Sequence, residues 1–531
     1  MNNHDPAALA RLMGLMCEAI ALRGAGQFAA ALAALDQALA LDPGFIPIHM
    51  QRAGLLEEGG DHAAAVAAYE ACLEVAPDFA DARAAHRLAL ENLVAQCDAA
   101  LADAPGESLS DIEFKLAGAL FKLQRLPQAL ARIDRALTAA PGHFPSLALR
   151  ADILLRLNRH EEALDVYQGQ AALSDEQRAL AVFNRADILR QMGAVDEALA
   201  GYDEALRLHP GFAQAQVGRA HMLLMRGDYA QGWRQHEGRN DIAELAGRRL
   251  RSDSPSWRPG EDPGGKHLLL WAEQGLGDTL QFARYIGAAA ARAARTTVCV
   301  PPGLLPLLAP SFPDCDFVVD DKSPPPHDLQ LSLLSLPLLL DLPDPGRAPA
   351  TPYLQADAQR AAAWRERLDA RLGAAGRRPR IGIAWAGRQY ATIHYSRDIP
   401  LAQLAPLFDL PADFISLQPE IPGGDAAARA ALGERLHEVG LEDWADTAAL
   451  MQTLDLVISV DTAVAHLAGA LDLPALLMLR FEGEWRWGLN PGSNGWYPRT
   501  RLLRQQARGQ WDGVVARAAS AVAALIGRDG R

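Results

Sequence analysis

Carboxylates, arginines, glutamines and two histidines stand at four places in this chain where an apolar run gives way to a turn. The first is Glu273-Gln274-Gly275-Leu276-Gly277-Asp278, at the exit of the apolar stretch LLLWA. The second is WAGRQYATIHYSRDIPL (385–401), which carries Arg388, His394 and Arg397. The third is Gln418, leaving FISLQ, and the fourth is VDTAVAH, with Asp461 and Thr462 at the end of an apolar run and His466 one helical turn on. A carboxylate such as Asp278 can take the proton from a hydroxyl. A helix opening at Asp461-Thr462 offers free N–H groups and the positive end of its dipole, which suit a phosphate. Arg388 or Arg397, on the neighbouring loop, can neutralise a diphosphate by a forked contact.

Each aspartate taken alone reads as an ordinary helix cap, because Asp is a favoured N-cap residue. Two of them at strand ends, with an arginine loop beside one, read as a functional constellation. His466 reads equally well as a packed helix residue, and Trp485, Trp487 and Trp496 read as loop packing rather than as a roof over a site. The Gly275-x-Gly277 pair lacks the third glycine of a dinucleotide fingerprint, that position being Leu280, and the next strand ends in TTVCVPP without an acid for the ribose, so NAD binding is rejected. No D-x-D metal motif stands near these strand ends, and no metal site is expected.

The elements that must position these residues are strands alternating with helices. HLLLWAE (267–273) reads as a strand and 278–293 as a helix, with Gly275 and Gly277 making the sharp turn and Asp278 at the N-cap. TTVCVPP and CDFVVDD read as further strands, and LQLSLLSLPLLLDL (329–342) as a buried strand with its exit loop, too short to span a bilayer. RRPRIGIAWAG (377–387) opens a second series, with strands DFISLQ, DLVISVD and ALLML between amphipathic helices. Such runs predict parallel strands buried on both faces, in two Rossmann-like halves whose ligands bind beyond the carboxyl ends of the strands.

The first half has another texture. GQFAAALAALDQALALDPGF (26–45), GDHAAAVAAYEACLEVAPDF (60–79), QRLPQALARIDRALTAAPGHF (124–144) and GAVDEALAGYDEALRLHPGF (193–212) align on Pro43, Pro77, Pro141 and Pro210. Small residues (Ala31, Ala65, Ala129, Ala198) open the second helix of each copy, and others (Ala38, Cys72, Ala136, Ala205) follow seven residues later. Pro43 and Pro77 lie 34 residues apart, a period that resembles the tetratricopeptide repeat, in which small residues let paired helices approach. Units are placed at 12–45, 46–79, 110–143, 144–177, 179–212 and, less completely, 213–242, with a divergent unit over 80–109. Arrays of this class hold a peptide or protein segment; the bland alternative is a spacer or dimerisation element.

Composition narrows the function classes. A chain of 531 residues exceeds one core, and a formal net charge of −14 argues against nucleic-acid binding. Five scattered cysteines suit a reducing compartment, and MNNHDPAALARLMG lacks the pattern of a signal peptide, so a cytoplasmic protein with no membrane span is expected.

WAEQGLGDTLQFARY, GIAWAG with RDIPL, ISLQ and LDLVISVDTAVAHLAGAL resemble the glycosyltransferase domain that bacteria fuse to tetratricopeptide repeats, related to the lipopolysaccharide heptosyltransferases. The resemblance spans essentially the whole chain. It implies an all-α tetratricopeptide-repeat superhelix (1–243), a linker (244–265), and an α/β GT-B fold of two Rossmann-like halves: 266–376 on the acceptor side and 377–531, with a final helix, on the donor side. By that similarity Asp278 falls where these enzymes place the candidate catalytic base. Asp461, Thr462 and His466 fall on the donor-phosphate segment, with Arg388 or Arg397 as the phosphate-binding cation. Gln418 joins the donor side, and Glu273, Gln274, Gly275 and Gly277 form the cleft turn. RQYATIHYSRD departs from the shorter loop of many relatives. No cofactor is implied; a nucleotide-activated sugar is the co-substrate, and transfer is inverting and metal-independent. Repeat-fused members include flagellin-modifying enzymes that use nonulosonic acids, which makes a protein acceptor, flagellin first, the implied partner. The alternatives are a heptosyltransferase-like enzyme acting on lipopolysaccharide or another glycan, and a non-catalytic scaffold with a degenerate GT-B domain.

Overall fold

The computed structural model describes residues 6–103, 109–168, 174–243, 245, 250, 252–319, 324–373, 378–387, 397–490 and 494–529. The chain forms two compact units, Met1–Ser174 and Asp175–Arg531.

The first unit is helical: α1 (Pro6–Gly24), α2 (Phe28–Leu41), α3 (Ile46–Glu58), α4 (His62–Val75), α5 (Ala80–Asp103), α6 (Leu109–Lys122), α7 (Leu126–Ala139), α8 (Phe144–Arg156) and α9 (His160–Asp165). The small residues Ala31, Ala65 and Ala129 are fully buried, as are Ala38, Cys72 and Ala136, so each pair of helices meets along a seam of minimal side chains. Ala31, Ala65 and Ala129 stand at the fourth position of the second helix rather than at its opening. The turns between paired helices share one left-handed residue: Gly26, Gly60, Gln124 and Asn158 have φ of 71°, 76°, 60° and 59°. Glycine adopts that conformation without cost and Asn with little, whereas Gln124 is the strained member. The divergent unit expected over 80–109 is one 24-residue helix as far as Asp103. Its sequence holds no Gly or Pro to break it, and it packs between α4 and α6.

The second unit opens with two further hairpins, α10 (Asp175–Gln191) with α11 (Val195–Leu208) and α12 (Ala213–Arg226) with α13 (Tyr229–His236). Left-handed Gly193 and Gly227 make their turns. At Gly201 a Cβ would stand 2.7 Å from that of Ala186, so this seam tolerates nothing larger than hydrogen.

Two parallel sheets follow. The first holds β1 (His267–Trp271), β2 (Arg295–Val300), β3 (Asp316–Val319) and β4 (Leu329–Ser332), in the order β3-β2-β1-β4. The second holds β5 (Arg380–Ala384), β6 (Asp413–Ser416), β7 (Leu436–His437), β8 (Leu456–Val460), β9 (Ala475–Leu479) and β10 (Thr500–Arg504), in the order β10-β9-β8-β5-β6-β7. Chain order reverses between β1 and β4 and between β5 and β8, and crevices for ligands open at such reversals. The helices are α14 (Leu276–Phe282), α15 (Ile286–Ala290), α16 (Leu305–Ser311), α17 (Leu336–Leu339), α18 (Ala358–Leu372), α19 (Ala405–Phe408), α20 (Ala426–Leu432), α21 (Trp444–Met451), α22 (Ala463–Ala470) and α23 (Asp512–Asp529). The fold is thus an all-α repeat array followed by two parallel-sheet α/β halves. The two-residue β7 and the five-residue β10, TRLLR, carry no strong apolar run.

The single helix expected over 278–293 is α14, a 3₁₀ turn over Ala283–Tyr285, and α15. At the break the Tyr353 hydroxyl lies 3.0 Å from the Leu280 carbonyl and 3.4 Å from that of Gln281, two acceptors that a continuing α-helix would use. Part of the expected linker is pinned to the first sheet. Trp257 N–H donates to the Gln330 carbonyl (2.9 Å), Gln330 N–H to that of Pro255 (3.0 Å), and the Trp257 ring is buried. Among the described residues no helix is long and apolar enough to cross a membrane.

Candidate functional site

The two α/β halves meet where the first turn of α14 lies against the first turn of α22. Gly277 makes this approach possible, since a Cβ there would stand 3.0 Å from His466 Cδ2 and 3.6 Å from Ala463 Cα. Neither Gly275 nor Gly277 has a left-handed φ, so the sharp-turn role assigned to the pair is corrected: Gly277 is glycine for space. Gly275, not Asp278, is the N-cap of α14; Asp278 is the third helical residue, and its Oδ2 accepts the Gly275 N–H at 3.1 Å. A carboxylate at that position still complements the dipole of the helix.

The other oxygen of Asp278 accepts from Arg486 Nη2. Arg486 lies in the segment that leaves β9. Its Nη1 donates to Glu484 Oε2 (2.6 Å), its Nε to Gln281 Oε1 (3.0 Å), and the guanidinium sits 4.3 Å from the centre of the Trp485 ring. Burial opposes its charge, but Asp278 and Glu484 outweigh that and hold its pKa above the ordinary range. Burial likewise acts to raise the pKa of Glu484, yet Arg486 and His221 keep it lowered. Asp461 shifts the other way. Burial first and the Glu484 charge second raise its pKa, against Arg397 and Arg486.

The helix expected from Asp461-Thr462 begins at Ala463, with Thr462 as its N-cap and Asp461 just outside. The Thr462 hydroxyl is 3.1 Å from that of Ser459 and makes no cap hydrogen bond. His466 is buried, its ring stacked on Trp487 with centroids 5.1 Å apart and Nδ1 3.0 Å from the Tyr497 hydroxyl. Burial, then Arg486, push its pKa down to about 3. The imidazole is therefore neutral near pH 7, able to donate or accept one hydrogen bond but not to pair as a cation.

Gln418 links the segments that leave β5 and β6, its Oε1 accepting the Ala386 N–H at 3.2 Å. Arg397 is half-buried with its guanidinium over Gly387, where a Cβ would stand 2.6 Å from Nε. Arg388 and His394 lie outside the described residues. Gln274 is half-buried beside the turn. Glu273 departs from its expected place in the cleft turn: it is buried, forked by Arg239 and hydrogen-bonded by Ser332 Oγ at 2.6 Å.

Asp278, Gly277, Asp461, Thr462, His466 and Arg397 thus surround one junction, joined by Arg486 and Glu484, which no strand end in the sequence points to. Their signal was present: EGEWRW places two acids and an arginine among tryptophans. Trp485, Trp487 and Trp496 are all buried in this packing. Among the described residues no group of three or more His, Cys, Asp or Glu is arranged to hold a metal ion.

Residues 22–89, 114–176 and 183–232 match models of the tetratricopeptide repeat. Protein FlbA of Caulobacter vibrioides is 27% identical over 508 residues, an alignment covering 88% of this chain and 82% of that protein. Among solved structures, the tetratricopeptide-repeat protein YrrB, described as having an unusual peptide-binding site, is 18% identical (TM-score 0.21), covering 38% of this chain and 88% of that one. A glycosyl transferase family 9 structure from Veillonella parvula is 11% identical (TM-score 0.37), covering 50% of this chain and 99% of that one.

Proposed function

We propose that the chain is an inverting, metal-independent glycosyltransferase that moves a sugar from a nucleotide-activated donor to a Ser or Thr hydroxyl of a protein held by the repeats. The observation that carries this reading is the convergence of the Asp278 carboxylate, the Arg486 and Arg397 guanidinia and the first turn of α22 on one junction between two parallel-sheet halves. The acceptor oxygen attacks the anomeric carbon as the bond from that carbon to the donor phosphate breaks, and the hydroxyl proton passes to Asp278. Both Asp278 oxygens already accept one hydrogen bond, and each keeps a lone pair for that proton. The leaving phosphate draws on Arg486, Arg397 and the helix N-terminus, with the neutral His466 in support. The repeats supply the acceptor, as this class of array commonly does. A flagellin acceptor with a nonulosonic acid as the sugar is the first pair to examine.

One observation favours the non-catalytic alternative. Asp278 is engaged twice, by the Gly275 N–H at the start of its helix and in an ion pair, which a purely structural residue would also be. Melting of the second unit with UDP, GDP, ADP or CMP separates the two. Stabilisation by one nucleotide that survives Asp278→Asn supports a donor site; no shift with any of them removes the transferase reading.

A further inference from the structure

Glu273 stands five residues before Asp278, and it is held by Ser332 of β4 (2.6 Å) and by an arginine of the last repeat. Arg239, in the 3₁₀ turn Glu237–Asp241 that follows α13, forks its carboxylate: Nε lies 3.0 Å from Oε1 and Nη2 3.0 Å from Oε2. The spare donors of Arg239 reach Ser335 Oγ (2.7 Å), Glu237 Oε1 (2.7 Å) and the His236 carbonyl (3.1 Å). Ser335 Oγ in turn donates to Glu237 Oε1 at 2.8 Å. A fully buried guanidinium is thereby matched to two carboxylates, and the end of β1 is fixed just before the turn that carries Asp278. The same repeat grips the other side of the junction. Trp233 of α13 sets its ring edge-on to Phe282, the last residue of α14 (5.7 Å, 89°), and to Trp485 (5.4 Å, 88°). His221 of α12 stacks on Trp485 at 6.0 Å. Trp485 adjoins Arg486, the ion-pair partner of Asp278. Both members of that pair are therefore located by one repeat.

We infer that the terminal repeat is a positioning element of the catalytic half, and that Arg239 is a positioning residue acting through Glu273 on the turn that presents Asp278. The inference rests on the transferase reading for its consequence, but its geometry can be tested apart from it. In hydrogen-exchange mass spectrometry of the full chain, Arg239→Gln should speed exchange in 274–280 at least about tenfold. Peptides over 380–384 and 456–460 should stay within about twofold of the wild type. In a Glu273→Gln background the same substitution should add less than about twofold, because its route is already cut. Uniform acceleration across the second unit, or none in 274–280, overturns the inference. Should Arg239→Gln not fold, Ser335→Ala and Glu237→Gln, each removing one member of the network, should give the same local pattern at smaller size. The second readout is nucleotide release from UDP-, GDP-, ADP- and CMP-sugars: kcat should fall about tenfold with KM within about twofold, and equal loss in KM speaks against positioning. A chain with no turnover on any of these donors counts against the transferase reading alone, since the exchange result decides positioning by itself.

Discussion

Acidifying the protein from pH 7 to pH 5 should weaken its second compact unit by about 4 kcal/mol, because two histidines, the buried His466 and the half-buried His221, are held neutral there. His466 keeps a pKa of about 3 and His221 of about 4, each depressed first by burial, against an ordinary 6.5. Around His466 stand Arg486, Arg284 and Arg397, opposed by Glu484; around His221 stand Arg190 and Arg486, opposed by Glu484 and Asp187. The unfolded chain takes up a proton on each imidazole as pH falls through 6.5, while the folded chain does not until pH nears 4 and 3. Stability present above pH 6.5 is therefore lost on the way down, by about 2 kcal/mol per histidine at pH 5. His236, also depressed by burial, acts in the same sense, and Asp461, whose pKa is raised, acts in the opposite one. Against a usual domain stability of about 5–15 kcal/mol the loss is easily measured. All 10 tryptophans lie between Trp233 and Trp511, so their fluorescence in a urea titration reports the second unit alone. His466→Gln and His221→Gln should each remove about one proton from the uptake on unfolding. A wild-type stability that differs by less than about 1 kcal/mol between pH 7 and pH 5, or variants with an unaltered pH slope, would refute the assignment of neutral imidazoles.

Asp278→Asn should cut transfer at least about tenfold while nucleotide affinity, followed by calorimetry, stays within about twofold, because only the proton acceptor is lost. Arg397→Ala and Arg486→Ala should weaken nucleotide binding more than acceptor binding; unchanged nucleotide affinity in both would take the phosphate role away from these guanidinia. Residues 175–531 should melt as one cooperative unit, whereas residues 244–531, which lack Trp233 and Arg239, should aggregate or melt broadly, as circular dichroism will show. Trp233→Ala should cost about 3–5 kcal/mol in the fluorescence titration, the usual range for a deleted core aromatic; a cost below about 1 kcal/mol would mean that the last repeat is only loosely attached.

The repeat half was legible because its information is local. Helix period, small residues at fixed spacing and a terminal proline are read within 34 residues, and the buried Ala31, Ala38, Ala65 and Cys72 follow from them. Strand identity was legible for the same reason: β1, β5, β8 and β9 are apolar runs with both faces buried. The small residues and aspartates at strand ends could also be found in order along the chain. What each of them does was settled elsewhere. Gly277 reads as a turn residue until α22 is seen against it, and Asp278 as an N-cap until Gly275 and Arg486 take its two oxygens. Glu273 reads as a cleft acid until Arg239, 34 positions upstream, buries it. Arg486 meets Asp278 across 208 residues. Local pattern decides which element forms, because propensity and periodicity act over a turn or a strand. The partner of a buried charge is decided by whatever distant group reaches it, since desolvation forces a pairing without dictating where in the chain the partner lies.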